Sequence, residues 1–154
     1  MKSEVEIGGN RVRITRLFDA PRAVIFDWWT QAEKLQRWSG CKDCMRCEIE
    51  MDFRVGGGFT QKMQIAGAGQ FTLYGTYEEI AAPDRIVYCV NLGPATTRVT
   101  VEFSDHGAGT KVVMTHEGLP DEFLCKTVAQ CTIESLEKLE AMTGRGTAFA
   151  AESR

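Results

Sequence analysis

Three cysteines in the run Cys41-Lys42-Asp43-Cys44-Met45-Arg46-Cys47 stand at two successive Cys-x-x-Cys spacings. That spacing can present three thiolates to a zinc ion or an iron–sulfur cluster. A closed structural zinc site takes a fourth ligand. None of His106, His116, Cys89, Cys125 or Cys131 lies near in sequence, although the fold is free to bring any of them close. The reading adopted is a loop of unpaired thiols, some packed against Trp38, with no metal and no cofactor. A metal site on Cys41, Cys44 and Cys47 is the alternative.

The two histidines are the other chemistry-bearing groups. His106 falls in the turn His106-Gly107-Ala108-Gly109 and meets solvent. His116 shares a strand face with Val112 and Met114 and points inward. A lone inward His is a hydrogen-bonded core group more often than a general base, which needs a substrate proton within reach. There is no Gly-x-Ser-x-Gly elbow. Gly56-Gly57-Gly58 joins two strands and lacks the helix and Lys-Ser/Thr of a phosphate cradle, so it reads as a turn. No catalytic residue is assigned, and a cyclase- or hydrolase-like enzyme using His116 stays as an alternative.

A larger set points to binding. Trp28, Trp29, Trp38, Phe59, Met63, Phe71, Tyr88, Phe103 and Met114 are apolar or aromatic residues placed on candidate inward faces. Facing them from a long helix are Val128 and the small residues Cys131, Thr132 and Ser135, which leave space where larger side chains would fill it. Gln61, Tyr88 and His116 supply a few polar groups. Apolar walls with a few polar groups are the usual make-up of a small-molecule pocket.

The elements that hold these residues are visible in the pattern. Val5 to Leu17 alternates around Gly8-Gly9-Asn10, giving an opening strand with a turn or bulge. Asp19-Ala20-Pro21 suggests an N-cap followed by Pro in the first turn of a helix carrying Val24, Ile25, Trp28 and Trp29. Thr30 and Glu33 suggest a capping box for a second short helix with Leu35 and Trp38 on one side. From residue 45 to 117 the apolar period is two, with turns at Gly56-Gly57-Gly58, Gly67-Ala68-Gly69, Pro83-Asp84 and His106–Gly109, as in an antiparallel meander. From 121 to 142, Leu124, Val128, Thr132, Leu136 and Leu139 recur at helical steps, with Asp121 and Glu122 at the start and Gly144 past the end. The expected fold is α+β: a curved antiparallel sheet of about seven strands wrapped round one long C-terminal helix, with two short helices after the first strand. Residues 1–144 form one domain on this reading, and 145–154 a flexible tail.

The chain has 154 residues, of which 44% are hydrophobic and 25% charged, with a formal net charge of −3. That is globular composition, and the acidic balance argues against nucleic acid and anionic membranes as partners. No stretch approaches the roughly 20 apolar residues of a membrane span. The opening Met1-Lys2-Ser3-Glu4-Val5 lacks the apolar run of a secretory signal, so a cytoplasmic location and reduced thiols are expected.

Specific motifs accompany this pattern. Arg16-Leu17-Phe18-Asp19-Ala20-Pro21-Arg22-Ala23-Val24-Ile25-Phe26-Asp27-Trp28-Trp29-Thr30, with Leu35-Gln36-Arg37-Trp38, resembles the opening of the AHSA-type family, the activators of heat-shock chaperone ATPase and their homologues. Met51-Asp52-Phe53-Arg54-Val55-Gly56-Gly57 is similar to the family's Asp-x-Arg-x-Gly-Gly motif. Gly75 to Ile80 with Pro83 to Val87, and Gly109 to Val112 with Thr115 to Gly118, match later strands. The resemblance runs from about residue 5 to 142 and implies the helix-grip fold of the START-like (SRPBCC, birch-pollen-allergen-type) superfamily. It implies an apolar, lipid-like ligand, or alternatively a protein partner such as a chaperone in a stress response or a second copy of the chain. One departure is Val128 to Ile133, where family members often carry a Gly-Trp pair; the cysteine loop is another.

Overall fold

The computed structural model describes residues 3–144; the tail expected over 145–154, with Met1 and Lys2, lies outside the described residues. The element order is β1 (Glu4–Gly8), β2 (Arg11–Phe18), α1 (Arg22–Thr30), α2 (Ala32–Trp38), β3 (Cys44–Met51), β4 (Gly58–Ile65), β5 (Gly69–Ala81), β6 (Arg85–Leu92), β7 (Ala95–His106), β8 (Gly109–Glu117) and α3 (Glu122–Thr143). All strands join one antiparallel sheet in the order β1-β2-β8-β7-β6-β5-β4-β3. The expected α+β helix-grip architecture is therefore present, with eight strands where about seven were expected. The difference lies at the start. Gly9, at φ +61°, and Asn10 close a two-residue hairpin, so the opening segment is two paired strands rather than one strand with a bulge.

The sheet follows from the period-two pattern. Val12, Ile14 and Phe18 of β2, Val99, Val101 and Phe103 of β7, and Val112 of β8 are buried on one face. Arg16 shares that buried face, and its charge is met there by Glu140 of α3 at 2.8 Å and by the Ser3 hydroxyl at 2.8 Å. Helix α3 packs on β2 and β1, α2 on β3 and α3, and α1 on β7 and β8. The core therefore gathers where α1 and the C-terminal half of α3 close on the sheet. Leu136 and Leu139 are 1% and 0% exposed there.

Local end signals differ from the sequence reading in three places. Helix α1 starts after Pro21, which occupies the N-cap position with extended backbone, and no side chain caps it. The hydroxyl of Thr30 donates back to the Phe26 carbonyl, and Gln31 takes the N-cap of α2, so no capping box forms. Gly144 caps α3 at φ −57°, without the left-handed turn. At the other end Asp121 does cap α3, its carboxylate accepting from the Leu124 N–H at 2.7 Å.

The Asp-x-Arg-x-Gly-Gly segment is a docking turn. Arg54 pairs with Asp52 at 2.7 Å, Gly56 N–H donates to the Tyr77 carbonyl, and Tyr77 N–H donates to the Gly57 carbonyl. A Cβ on Gly57 would stand 2.0 Å from the Asp52 carbonyl oxygen, which is why glycine is needed. The turn thereby fixes Tyr77 beside the β5–β6 register shift between Tyr77 and Glu79.

Candidate functional site

Between the sheet and the N-terminal half of α3 lies a cavity of about 460 Å³. Its sheet wall comes from β4, β5 and β6, joined by Ile49, Val99, Met114 and His116. Its helical wall is Leu124, Thr127, Val128, Cys131, Thr132 and Ser135, and its end is closed by Trp29, Leu35 and Trp38 from the short helices. The space exists because α3 changes role along its length. Leu136 and Leu139 pack into the core, whereas Leu124, Val128 and Thr132 remain half-buried and face the void. Phe71 lines the cavity and is also 50% exposed, so the wall meets solvent at that point.

An aromatic cluster forms the floor. The Phe59 ring lies 5.4 Å from Tyr77 and 5.6 Å from Tyr88, and the two tyrosines are 6.0 Å apart. Gly75, paired with Phe59 across β4 and β5, makes room for this ring: a Cβ there would fall 2.7 Å from Phe59 Cζ and 1.9 Å from the Cys89 carbonyl oxygen. Burial pushes the Tyr88 hydroxyl up to about 12 and raises Tyr77 as well, so both are neutral donors.

His116 is the main polar feature. Its Nε2 lies 2.7 Å from the Thr97 hydroxyl, which itself sits 3.0 Å from the Val90 carbonyl. Because the threonine has one hydrogen and gives it to Val90, its lone pair receives a proton carried on Nε2. Desolvation pushes the imidazole down to about 4, and it is neutral at physiological pH. Gln61 has only soft neighbours for its amide N–H, Cys47 Sγ and Met63 Sδ, each at 3.5 Å.

The structure brings together most of the residues singled out from sequence. Trp29, Trp38, Phe59, Gln61, Met63, Phe71, Tyr88, Met114, His116, Val128, Cys131, Thr132 and Ser135 all line the cavity. Two do not. Trp28 lies a helical step away from the buried Trp29; its ring is flanked by Lys34 and Arg37 at 5.8 and 5.1 Å, and its carbonyl accepts from Trp38 Nε1. Phe103 is 3% exposed and packs against Phe26 and Trp29, because α1 covers that end of β7. Sequence reasoning missed Tyr77, Leu73, Ile86, Val90 and Leu92, although they share strand parity with the residues it chose. Ser39 and Gly40, in the loop after α2, carried no such signal.

The cysteine loop divides. Cys41 lines the cavity beside Cys131, whose thiol is pushed up by burial and by that neighbour. Cys44 Sγ contacts the Arg46 carbonyl, and Cys47 sits beside Gln61 with its thiol raised by burial. Among the described residues no three His, Cys, Asp or Glu side chains are grouped to hold a metal ion. The loop is tied to α3 instead: the Ser135 hydroxyl donates to the Gly40 carbonyl at 2.8 Å, and Lys138 Nζ to the Ser39 carbonyl at 3.2 Å.

A sheet gripping one long helix, with an apolar cavity between them, is the arrangement of the START-like helix-grip proteins. The sequence profile of the Activator of Hsp90 ATPase homolog 1-like protein family matches residues 19–144, and the chain belongs to that family. Solved structures share the fold. Protein CV1439 from Chromobacterium violaceum superposes at a TM-score of 0.78 with 21% identity, over 87% of this chain and 96% of that one. A protein from Rhodobacter sphaeroides reaches 0.81 with 18% identity, over 92% and 97%. CalU16 from Micromonospora echinospora reaches 0.68 with 16% identity, over 99% and 93%. Identities at this level speak for the fold alone. A search of curated proteins finds no match. No helix among the described residues is long and apolar enough to cross a membrane.

Proposed function

We propose that residues 1–144 act as one domain that binds an apolar or amphipathic small molecule in the cavity between the sheet and α3, without a metal or cofactor. The observation that carries this reading is the cavity itself. About 460 Å³ of space is bounded by aromatic, aliphatic and sulfur-bearing side chains with a few neutral polar groups, in the size range of small-molecule sites. Catalysis has less support, because His116 is pushed down to about 4 and is a weak base at neutral pH. Native mass spectrometry of the purified protein, with and without chelator, tests the proposal. A co-purifying organic mass unaffected by chelator is the expected result. A chelator-sensitive metal mass would move attention to Cys41, Cys44 and Cys47.

A second reading rests on the family itself, whose name describes activation of a chaperone ATPase. On that reading the domain docks on a chaperone, and addition of the protein to an Hsp90-type chaperone raises its rate of ATP hydrolysis. An unchanged rate at saturating protein would remove it.

A further inference from the structure

Among the described residues, the cavity wall carries no Asp, Glu, Lys or Arg. Its one titratable cation-former, His116, is neutral, and the Tyr77 and Tyr88 hydroxyls keep their protons. A carboxylate or phosphate carried into this space loses its water and meets no opposite charge, which is strongly unfavourable. Of the lysines on α3, Lys138 is turned to the backbone carbonyls of Ser39 and Cys41, and Lys126 pairs with Glu122 at the surface.

Among the polar groups of the wall, His116 holds an acceptor whose orientation is set by protein partners. A neutral imidazole has a single N–H, and in His116 that proton sits on Nε2, committed to Thr97. Nδ1 is therefore a lone-pair acceptor, and no protein donor is paired with it among the described residues. It is also not sealed away, since the described side chains contain a single buried polar atom without a partner, Arg16 Nε. The unpartnered Nδ1 thus keeps accessible surface, and His116 lines the cavity.

We infer that the ligand is an uncharged ring compound bearing one hydroxyl or N–H group, which donates to Nδ1 of His116, and that fatty acids and other anions are excluded. This rests on the cavity-binding reading above. The aromatic floor of Phe59, Tyr77 and Tyr88 offers ring edges and faces for a flat apolar body, which is why a ring compound is favoured over a flexible chain.

Equilibrium dialysis at pH 7 with four probes of one shape tests this: naphthalene, 2-naphthol, 2-methoxynaphthalene and 2-naphthoate. The first three are uncharged and the last is an anion; the methoxy compound keeps the oxygen but lacks the donor. The expected order has 2-naphthol at least tenfold tighter than 2-methoxynaphthalene and 2-naphthoate, and the wild-type protein alone decides it. In His116→Phe, which keeps a ring but removes the acceptor, the preference for 2-naphthol over 2-methoxynaphthalene disappears. Retention of 2-naphthoate as tightly as 2-naphthol overturns the inference and leaves the cavity reading standing, as does equal binding of the naphthol and its methyl ether. Failure to retain any of the four overturns both.

Discussion

At the scale of single residues, His116 couples the site to pH. The imidazole is pushed down to about 4 in the folded protein, against about 6.5 in an unfolded chain. Unfolded chains therefore take up a proton that the folded protein refuses between those values. Stability is fully present above pH 6.5 and declines as pH falls toward 4, by up to about 3 kcal/mol. Urea unfolding at a series of pH values is expected to show this slope in the wild type and to show it flattened in His116→Phe. Gly75 is the other residue whose role is local. Adding one methyl as Gly75→Ala forces the Phe59 ring off the tyrosine pair or breaks the approach to Cys89. A loss of about 2 kcal/mol is expected, in the range of overpacked sites. An unchanged denaturation midpoint would show that the ring shifts freely.

Helix α3 is the element that decides whether the interior is core or cavity. Its C-terminal half presents Leu136 and Leu139 to the sheet, whereas its N-terminal half presents Thr127, Val128, Cys131 and Thr132 to open space. Filling that half by Thr132→Leu adds apolar volume at a half-buried position with room to receive it. The expected outcome is unchanged or slightly raised stability with naphthalene binding weakened at least tenfold, read by dialysis and by denaturation on the same sample. The start of the same helix depends on Asp121, whose carboxylate satisfies the Leu124 N–H. Asp121→Ala is expected to cost about 1 kcal/mol, the usual worth of such a cap, and a midpoint unmoved in urea would contradict it.

For the molecule as a whole, the grip of sheet on helix includes one charged tie. Arg16, 2% exposed on the inner face of β2, meets Glu140 of α3 across 124 residues of sequence. Removing the carboxylate in Glu140→Ala strands a buried guanidinium, and a loss of about 3 kcal/mol is expected from chemical denaturation. The second change Arg16→Met, which removes the stranded charge, is expected to recover much of it. A double variant no more stable than Glu140→Ala would assign the loss to something other than the charge.

Much of this was legible along the chain, for reasons that are local. Strand alternation needs only a period of two, so the faces of β4, β7 and β8, and with them Phe59, Met63, Met114 and His116, could be read from residue types alone. Helical spacing did the same for Leu136 and Leu139. What alternation leaves open is which end of an inward face is covered by side chains and which by empty space. Phe103 and Met114 read alike in sequence, yet α1 buries the first among Phe26 and Trp29 while the second lines the void. Trp28 and Trp29 are neighbours in the chain but lie about 100° apart round a helix, and only docking of α1 on β7 and β8 selects Trp29. The proton on His116 Nε2 is likewise a tertiary fact, since it depends on Thr97 and Val90 from two other strands. Sequence by itself determined the elements, their order and the inward residues, because those rest on short-range periodicity. The cavity, its neutral wall and the acceptor on His116 were decided only when distant segments met, because empty space and hydrogen-bond direction are properties of packing.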